Sequence, residues 1–293
     1  MNDMKISYNL NQMRRFLEEF RGRSIIYFPN PGNAGDSLIA AGTYQALQRA
    51  GVNVSIYSPG LDVGGHTVFI GGGGNLVPLY REARETLEAI LPSAARIVVL
   101  PHTIRGNEDL LKRLDARVTV FCRDPVSYWH VLQCTDSDVR LDHDMAFHLD
   151  IDSFNEKCLA YHEMPRVFAS RVLNSPVLLK KDVGPLFFMR EDGERRIGRT
   201  DFKNTLDLST AFEFGVVPDT AEKSVWCMFQ AIGSATHVTT DRLHVGISCA
   251  ILGKSCTLLD NSYGKNRGIY LHSIRRFTNK VSLGLENLPA EDS

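Results

Sequence analysis

Two basic side chains stand at the start of a predicted helix, directly after a predicted strand. The strand covers residues 236–239 and the helix residues 242–252, so Arg242 and His244 fall in the first helical turn. A basic residue at this end opposes the helix macrodipole, which costs stability on an ordinary surface. The placement is favourable where an anion binds at the helix N-terminus. We therefore predict an anion site here; the alternative is a partly buried histidine hydrogen-bonded to a backbone carbonyl.

Two further cations follow predicted strands. Lys265 lies in a loop rich in glycine, asparagine and serine, and Arg123 directly follows a strand. Because the carboxyl ends of parallel strands meet at one edge of a sheet, we expect both side chains to converge with Arg242 on one anion. On sequence alone, a salt bridge with Asp124 is the simpler explanation of Arg123. Lys265 is as readily a solvated loop residue.

The first loop after a strand, residues 29–42, suits a sugar better than an anion. We predict that Asp36 caps the helix at 37–50, where its carboxylate would occupy the backbone amides that a phosphate needs. The side chains of Asn33 and Asp36 can instead hydrogen-bond to sugar hydroxyls. A tight turn with a capping aspartate is the alternative.

Four consecutive glycines, Gly71–Gly74, follow another predicted strand. Glycine permits close approach of a backbone to a ligand, so we predict that Gly72, Gly73 and Asn75 contact the same sugar as Asn33 and Asp36. The run lacks the GxGxxG spacing of a dinucleotide site, and the chain contains no GxxxxGK[ST] phosphate loop. A sharp strand-to-helix turn is the alternative explanation.

The elements that position these loops alternate between strands and helices. Alternation of this kind predicts an α/β fold with parallel sheets, and continuous apolar runs are typical of strands covered on both faces. Strands are predicted at 24–28, 52–57, 67–70, 97–100, 118–122, 185–189, 236–239 and 255–259, and helices at 37–50, 80–91, 108–114, 125–134, 221–232 and 242–252.

The alternation lapses between residues 150 and 182 and then resumes. We therefore predict an N-terminal Rossmann-like lobe at 1–150, a linker region at 151–182 and a C-terminal Rossmann-like lobe at 183–293. The lobes are expected to face a cleft, with ligands at the carboxyl ends of the strands. The charged segment 191–199 is predicted to be a solvated loop.

Composition excludes several classes of protein. The 293 residues carry 33 Lys+Arg against 34 Asp+Glu, a balance that argues against a general nucleic-acid binder. The six cysteines form no CxxC pair, and we interpret them as buried thiols in a reducing compartment. Without a signal peptide or an apolar run of ~18 residues, the chain is expected to be cytoplasmic with no transmembrane segment. The chain contains no HExxH motif, which would indicate a catalytic metal, and no GxSxG motif, which would indicate an acyl hydrolase.

Taken together, these segments resemble the polysaccharide pyruvyl transferase family, over about residues 24–270. Their order and spacing are more specific than any one motif. In chain order they are Asn33-Ala34-Gly35-Asp36, Gly71–Gly74, Pro101-His102-Thr103-Ile104, Arg123-Asp124 with Ser127, Thr240-Asp241-Arg242-Leu243-His244 and Asp260-Asn261-Ser262-Tyr263-Gly264-Lys265. Two residues depart from the family pattern: His102 stands in place of a glutamine, and His143 precedes Asp144 in place of a proline.

The resemblance implies a glycosyltransferase-B-like fold and phosphoenolpyruvate as the donor. It assigns donor binding to Arg123, Arg242, Leu243 and Lys265, and the catalytic role to His244. The implied acceptor is a sugar of an exopolysaccharide or cell-surface glycan precursor. A lipid-linked acceptor, and with it peripheral contact with a membrane, stays open, as does the oligomeric state.

The implied chemistry suits these side chains. Phosphoenolpyruvate carries a carboxylate and a phosphate, which two or three fixed cations can clamp. Protonation of its methylene carbon makes C2 electrophilic, a sugar hydroxyl adds, phosphate leaves, and a second hydroxyl closes a cyclic ketal. Histidine can donate or accept the proton in such steps. Because the basic side chains can neutralise the leaving phosphate, no cofactor or metal is expected.

Two rival functions remain open on sequence alone. One is a glycosyltransferase of the same fold that uses a UDP- or GDP-sugar. The other is a non-catalytic protein that senses carbohydrate and has kept the cleft.

Overall fold

The computed structural model describes residues 10–195 and 205–284. These residues form two compact units, neither of which is one continuous stretch of chain. The chain passes from the first unit to the second between Asp150 and Ile151. The described residues of the first unit are 10–32, 36–150 and 215–222, and those of the second are 33–35, 151–195, 205–214 and 223–284.

The first unit contains a seven-stranded parallel sheet. Its strands are β1 (Ser24–Phe28), β2 (Asn53–Ile56), β3 (Thr67–Ile70), β4 (Gly73–Leu76), β5 (Arg96–Ile104), β6 (Val118–Cys122) and β7 (Asp138–Leu141). They are ordered β2-β1-β3-β5-β6-β7, and β4 pairs with the end of β5. Because β2 and β3 lie on opposite sides of β1, the loops after β1 and β3 diverge and leave a crevice at the carboxyl edge.

The second unit contains a four-stranded parallel sheet. Its strands are β8 (Pro185–Phe188), β9 (His237–Thr240), β10 (Cys256–Leu258) and β11 (Val281–Leu283). They stand in chain order, β8-β9-β10-β11, so each strand pairs with the next along the chain. The α/β class with parallel sheets is thereby confirmed.

Helices connect most of these strands. Those before β8 are α1 (Asn11–Glu18), α2 (Ala34–Ala50), α3 (Glu82–Ile90), α4 (Glu108–Leu111), α5 (Pro125–Leu132), α6 (Ile151–Cys158) and α7 (Met164–Arg171), with 3-10 turns at Met145–His148 and Pro176–Leu179. Those after it are α8 (Leu208–Ala211), α9 (Pro218–Ser234), α10 (Leu243–Leu252), α11 (Lys265–Ile269) and α12 (Arg275–Phe277), with a π-helical turn at Tyr270–Ile274 between the last two.

The continuous apolar sequence of β5 follows from burial on both faces of the sheet. Ile97 and Val99 belong to one buried cluster, whereas Val98 and Leu100 point to the other face, where Val98 packs among the aromatic residues of α1. Successive side chains of a strand point to opposite faces, so a strand covered on both sides needs no polar alternation. The rigid sheet fixes the positions of the loops that follow its strands.

Residues 151–182, predicted as a linker region, are folded. They form α6, α7 and the 3-10 turn at Pro176–Leu179, and they belong to the second unit. Phe154, Phe168 and Leu178 are buried, so these short elements are held by apolar contacts. Their helices carry few apolar positions per turn, and for that reason the pattern looked interrupted in the sequence.

The prediction of a solvated loop at 191–199 is wrong for Glu194, which is only 3% exposed. Its carboxylate is paired with two basic side chains, described below, and this pairing compensates for its burial. Residues 196–199 of the predicted loop lie outside the described residues.

Candidate functional site

Arg242, the residue before α10, is buried and held by two carboxylates. Its Nε donates to Oδ1 of Asp207 at 3.0 Å, and a second guanidinium nitrogen donates to Oδ2 of the same residue. Its Nη1 lies 2.6 Å from the carboxylate of Asp192. Burial by itself would lower the pKa of Arg242, but hydrogen bonds to Asp207 raise the pKa above the ordinary arginine value. Arg242 is therefore a permanently charged, fixed cation.

Lys265 is linked to Arg242 through shared carboxylates. Its Nζ lies 2.5 Å from Oε2 of Glu194, and Nη1 of Arg190 lies 2.5 Å from the same oxygen. Arg190 in turn pairs with Asp192 at 3.0 Å. We call this set the ionic cluster; its members are Arg190, Asp192, Glu194, Asp207, Arg242 and Lys265.

The carboxyl edge of the second sheet builds the ionic cluster. Arg190 follows β8, Arg242 follows β9 and Lys265 follows β10. Oδ1 of Asp241 accepts from the backbone N of Arg190 at 2.7 Å, and the side chain of Asn266 donates to the backbone oxygen of Asp241 at 2.7 Å. These bonds tie the three loops together, so the cations are fixed relative to one another.

The cluster matches its charges closely. Its three cations face three carboxylates, which are those of Asp192, Glu194 and Asp207. Burial would raise the pKa of Glu194, but Lys265 and Arg190 hold that pKa well below its ordinary value. A bound anion would therefore compete with these three carboxylates for the same cations.

His244 lies in the first turn of α10 and is half-buried. A β-carbon built on Gly35, which belongs to the same unit, would lie 2.4 Å from Nδ1 of His244. The imidazole therefore packs against the backbone of the Asn33–Gly35 turn. Leu243, predicted as a donor-binding residue, is 4% exposed, so its side chain packs in the core of the second unit.

Asn33 is the residue that caps α2. The helix begins at Ala34, and Oδ1 of Asn33 accepts from the backbone N of Gly35 at 2.8 Å. This is the geometry of an N-cap, so the prediction that Asp36 caps the helix is wrong. Asp36 lies in the first turn instead, where a carboxylate is favoured by the helix dipole.

Arg123 belongs to the first unit and is fully buried there. Its Nη1 lies 2.6 Å from Oδ2 of Asp144, and its Nε donates to Oγ1 of Thr103 at 2.9 Å. In this arrangement Arg123 stabilises the chain after β7 by neutralising Asp144. The neighbour Asp124 pairs with Arg105 at 3.0 Å and caps α5 through Ser127.

The glycine run after β3 is required by close packing. A β-carbon on Gly71 would lie 2.6 Å from the backbone N of Asn30, and one on Gly72 would lie 2.6 Å from the carbonyl oxygen of Pro101. A β-carbon on Gly73 would lie 2.3 Å from the Asn30 side-chain nitrogen. The glycines thus bring three backbone segments together at the crevice. Gly73 and Gly74 continue as β4 instead of forming a turn.

A chain of polar side chains crosses this crevice. Nδ2 of Asn75 donates to Oδ1 of Asn30 at 2.8 Å, and Oδ1 of Asn75 lies 3.0 Å from Nε2 of His102. Burial, followed by the charge of Arg123, lowers the pKa of His102 to about 3. His102 is therefore neutral at physiological pH and acts in this chain as a hydrogen-bond donor to Asn75.

A pocket of about 570 Å³ opens beside this polar chain. Phe28 and Tyr57 stack in its wall with ring centroids 3.8 Å apart. Pro29, Pro31 and Asn30 line the side nearest β1. The volume and the mostly apolar wall with few polar groups are typical of a small-molecule site. No sequence pattern indicates this pocket, because its walls come from four segments that are separate in the sequence.

Within residues 10–195 and 205–284 there is no group of three or more His, Cys, Asp or Glu side chains arranged to hold a metal ion. No helix in the same ranges is long and apolar enough to cross a membrane.

The chain is similar to proteins of two bacteria, Bacillus subtilis and Klebsiella pneumoniae. It is 28% identical over 225 residues to General stress protein 30 of Bacillus subtilis (strain 168), an alignment that covers 68% of this chain and 58% of that protein. The chain thus spans less than two thirds of the length of that relative. A crystal structure of a functionally uncharacterized protein from Klebsiella pneumoniae matches with a TM-score of 0.75 and 27% identity, covering 98% of this chain and 100% of the other.

The family model of the polysaccharide pyruvyl transferases matches residues 33–263. That range begins at the cap of α2 and ends just before Lys265, so it contains every strand except β1 and β11 and every member of the ionic cluster except Lys265. The resemblance noted in the sequence is confirmed: the chain belongs to the polysaccharide pyruvyl transferase family.

Proposed function

We propose that the protein transfers a pyruvyl group from phosphoenolpyruvate to a sugar hydroxyl and closes a cyclic ketal on that sugar. The observation that carries the proposal is the ionic cluster, in which one network fixes Arg242 and Lys265, and Arg242 precedes His244 by two residues. The acceptor would be a sugar of an exopolysaccharide or cell-surface glycan precursor.

The ionic cluster supports an anionic donor. Phosphoenolpyruvate presents a carboxylate and a phosphate, and guanidinium and ammonium groups bind both. Arg190, which sequence patterns did not single out, adds a third cation next to Arg242 and Lys265. The donor would take over cations from Glu194 and Asp192, exchanging one set of anionic partners for another. Because three carboxylates already balance the three cations, the exchange requires these carboxylates to move aside as the donor enters.

His244 supports proton transfer beside that donor. Arg242 follows β9 and His244 lies on the first turn of α10, so donor phosphate at the cations would lie near the imidazole. Imidazolium delivers the proton to the methylene carbon, and C2 then accepts the first sugar hydroxyl. The C2–O bond to phosphate breaks, phosphate leaves with its charge held by the cations, and the second hydroxyl attacks C2. The hydroxyl protons return to the imidazole and to solvent.

The first unit supports acceptor binding. Its crevice combines the Asn30–Asn75–His102 polar chain with the stacked Phe28 and Tyr57 of the adjacent pocket. Amide groups suit sugar hydroxyls, and flat apolar walls suit the carbon face of a sugar ring. We keep Asn75, Gly72, Gly73, Asn33 and Asp36 as proposed acceptor contacts.

Two further elements of the proposal come from the family resemblance. We expect the two units to be Rossmann-like lobes of a glycosyltransferase-B-like fold, since each contains its own parallel sheet. We also keep Arg123 as a proposed donor residue, although its present pairing with Asp144 favours a structural role. No cofactor is expected, because the fixed cations can neutralise the leaving phosphate.

Phosphate release from phosphoenolpyruvate, measured with a panel of lipid-linked and nucleotide-linked sugars, tests the proposal. We expect release that depends on one acceptor and is lost in Arg242→Met. Titration calorimetry with phosphoenolpyruvate and with UDP- and GDP-sugars distinguishes the proposed pyruvyl transferase from the rival glycosyltransferase. Binding of a nucleotide sugar without binding of phosphoenolpyruvate would overturn the proposed donor.

A further inference from the structure

Three large apolar side chains of the second unit are exposed within seven residues. Leu173, Val177 and Leu179 are 74%, 40% and 54% exposed. Scattered exposed apolar residues are ordinary, but a contiguous group points to an interaction site. Leu173, Val177 and Leu179 therefore need an explanation that the proposed reaction does not supply.

The segment that displays them is locally rigid. Val172 and Leu178 are buried at 1% and 4% exposure and anchor it to the second unit. The backbone N of Ser175 donates to the oxygen of Val172 at 2.8 Å, and the N of Leu178 donates to the oxygen of Ser175 at 3.0 Å. A turn and a 3-10 helix thus hold the exposed side chains in a short segment with a defined backbone.

The charge around this segment is one-sided. Residues 164–181 contain four basic residues and no Asp or Glu, whereas the whole chain carries a net charge of -1. The four, all exposed, are Arg166, Arg171, Lys180 and Lys181. Lys180 and Lys181 follow Leu179 directly, so two ammonium groups flank the apolar side chains.

More lysines share the same edge of the sheet. The four strands of the second unit are parallel, so the residues that precede them lie at one edge. Lys254 precedes β10 and Lys280 precedes β11. The Nζ of Lys254 donates to the carbonyl oxygen of Ala235 at 2.7 Å, which fixes its charge at this edge. The acidic residue Asp182 follows the segment. Its single negative charge is smaller than the combined positive charge of Lys180, Lys181 and the other basic residues.

We propose that this edge docks on an anionic lipid bilayer. The docking surface consists of Leu173, Val177, Leu179, Lys180 and Lys181. Leucine and valine side chains would enter the boundary between headgroups and acyl chains, as the apolar face of an interfacial helix does. The lysines would remain at the level of the anionic headgroups, where each contributes to binding.

A bilayer fits this surface better than a protein does. A stable protein interface takes about 20–30 residues a side, whereas this segment offers three exposed apolar side chains. A bilayer requires no matching shape, and its negative surface potential complements the uniform positive charge. The surface precedes β8 in the chain, whereas the ionic cluster lies at the carboxyl-terminal edge of the second sheet, so the inference does not depend on the proposed reaction.

Flotation of the full chain with lipid vesicles tests the inference. We expect binding to vesicles of 30% phosphatidylglycerol in phosphatidylcholine at about 0.1 M salt, and little binding to pure phosphatidylcholine. Lys180→Ala with Lys181→Ala should weaken binding about 30-fold. Leu173→Ser with Leu179→Ser should weaken it about tenfold at unchanged charge.

Matched controls come from the first unit. Lys112→Ala with Arg113→Ala removes the same charge there, and Leu79→Ser removes a leucine that is 55% exposed. Both controls should bind as the parent chain does. Equal binding to neutral and anionic vesicles, no binding to either, or equal losses in variants and controls would overturn the inference. So would self-association, measured by light scattering, that the Leu173 and Leu179 changes abolish while vesicle binding is absent.

Discussion

The imidazole of His244 packs directly against the backbone at Gly35. A β-carbon built on Gly35 would lie 2.4 Å from Nδ1 of His244, a separation that real β-carbons essentially never show. Backbone cannot rotate away as a side chain can, so the ring is bounded on this side by a fixed surface. Glycine at position 35 therefore determines where the imidazole can lie.

His244→Asn should lower kcat for phosphate release by roughly 10²–10⁴ if the imidazole transfers the proton. Affinity for phosphoenolpyruvate should change much less, because Arg242 and Lys265 carry most of the charge recognition. A phosphate-release assay measures kcat, and titration calorimetry measures the affinity for phosphoenolpyruvate. A variant that loses donor affinity at unchanged kcat would make His244 a binding residue.

Gly35→Ala should also lower kcat, because the new methyl group displaces the imidazole. In a His244→Ala chain the same change should have little further effect, since the ring that it displaces is gone. The resulting double-mutant cycle isolates the Gly35–His244 contact. Equal effects of Gly35→Ala in both backgrounds would instead assign its cost to the helix or to a ligand.

Glu194→Gln should destabilise the protein and strengthen its response to anions. The change leaves Lys265 and Arg190 buried with one carboxylate fewer, a loss that costs about 3–5 kcal/mol for a buried pair. Added phosphate or phosphoenolpyruvate should restore more of the melting temperature than in the parent chain. Glu191→Gln, exposed in the same loop, is the control. An anion response equal to that of the parent chain would separate the ionic cluster from donor binding.

Asp142 should make stability depend on pH near neutrality. Burial raises the pKa of this carboxyl from 3.8 to about 7. The folded chain therefore holds the proton more tightly than the unfolded chain, and the stability it contributes is lost as pH rises from about 4 through 7. Asp142→Asn should flatten urea-unfolding free energies across this window, by at least ~1.4 kcal/mol, the value of one pKa unit. Asp138→Asn, at an exposed carboxylate, should leave the slope in place.

His102→Gln should be tolerated, whereas His102→Leu should not. A glutamine amide can donate to Oδ1 of Asn75 as Nε2 of His102 does. Leucine would leave that half-buried acceptor without its protein donor, at a cost of about 1 kcal/mol. Because the pKa of His102 is near 3, neither change should alter the pH profile of activity between 6 and 8. A shifted profile in His102→Gln would place this imidazole in proton transfer.

Asp144→Asn should be strongly destabilising because it leaves Arg123 buried without its ion-pair partner. The expected loss is about 3–5 kcal/mol in denaturant unfolding. Arg123→Met combined with Asp144→Leu should recover much of it, since it removes both charges together. If the double variant also keeps its affinity for phosphoenolpyruvate, Arg123 is structural; loss of that affinity alone would support its role in donor binding.

The strands that sequence patterns predicted are those with dense apolar runs. All eight predicted strands are present, with ends that differ by a few residues. The missed strands are β4, β7 and β11, which are glycine-rich, polar or only three residues long. β7 and β11 lie at the edges of their sheets, where one side of the strand is unpaired and apolar side chains are less necessary.

The ionic cluster was only half predictable. Arg242 and Lys265 follow strands, and parallel pairing alone brings such positions to one edge. Their carboxylate partners are distant in sequence, since Asp207 precedes Arg242 by 35 residues and Glu194 precedes Lys265 by 71. No local periodicity marks an ion pair of that separation. Glu194 in particular lies in a charged stretch whose composition indicates solvent exposure.

Each of the two units is built from separate stretches of the chain, and this limits where the chain can be divided into fragments. Residues 215–222 belong to the first unit, although they lie far beyond Asp150 in the sequence. The hydroxyl of Ser37 donates to the carbonyl of Gly215 at 2.9 Å, and that of Tyr44 to the carbonyl of Val216 at 3.1 Å. A fragment that ends at Asp150 would lack the carbonyl groups that accept from these two hydroxyls of α2. The side chain of Ser37 is fully buried. Gene fragments divided at that point should therefore express as poorly folded halves, whereas the two halves supplied together can reassemble.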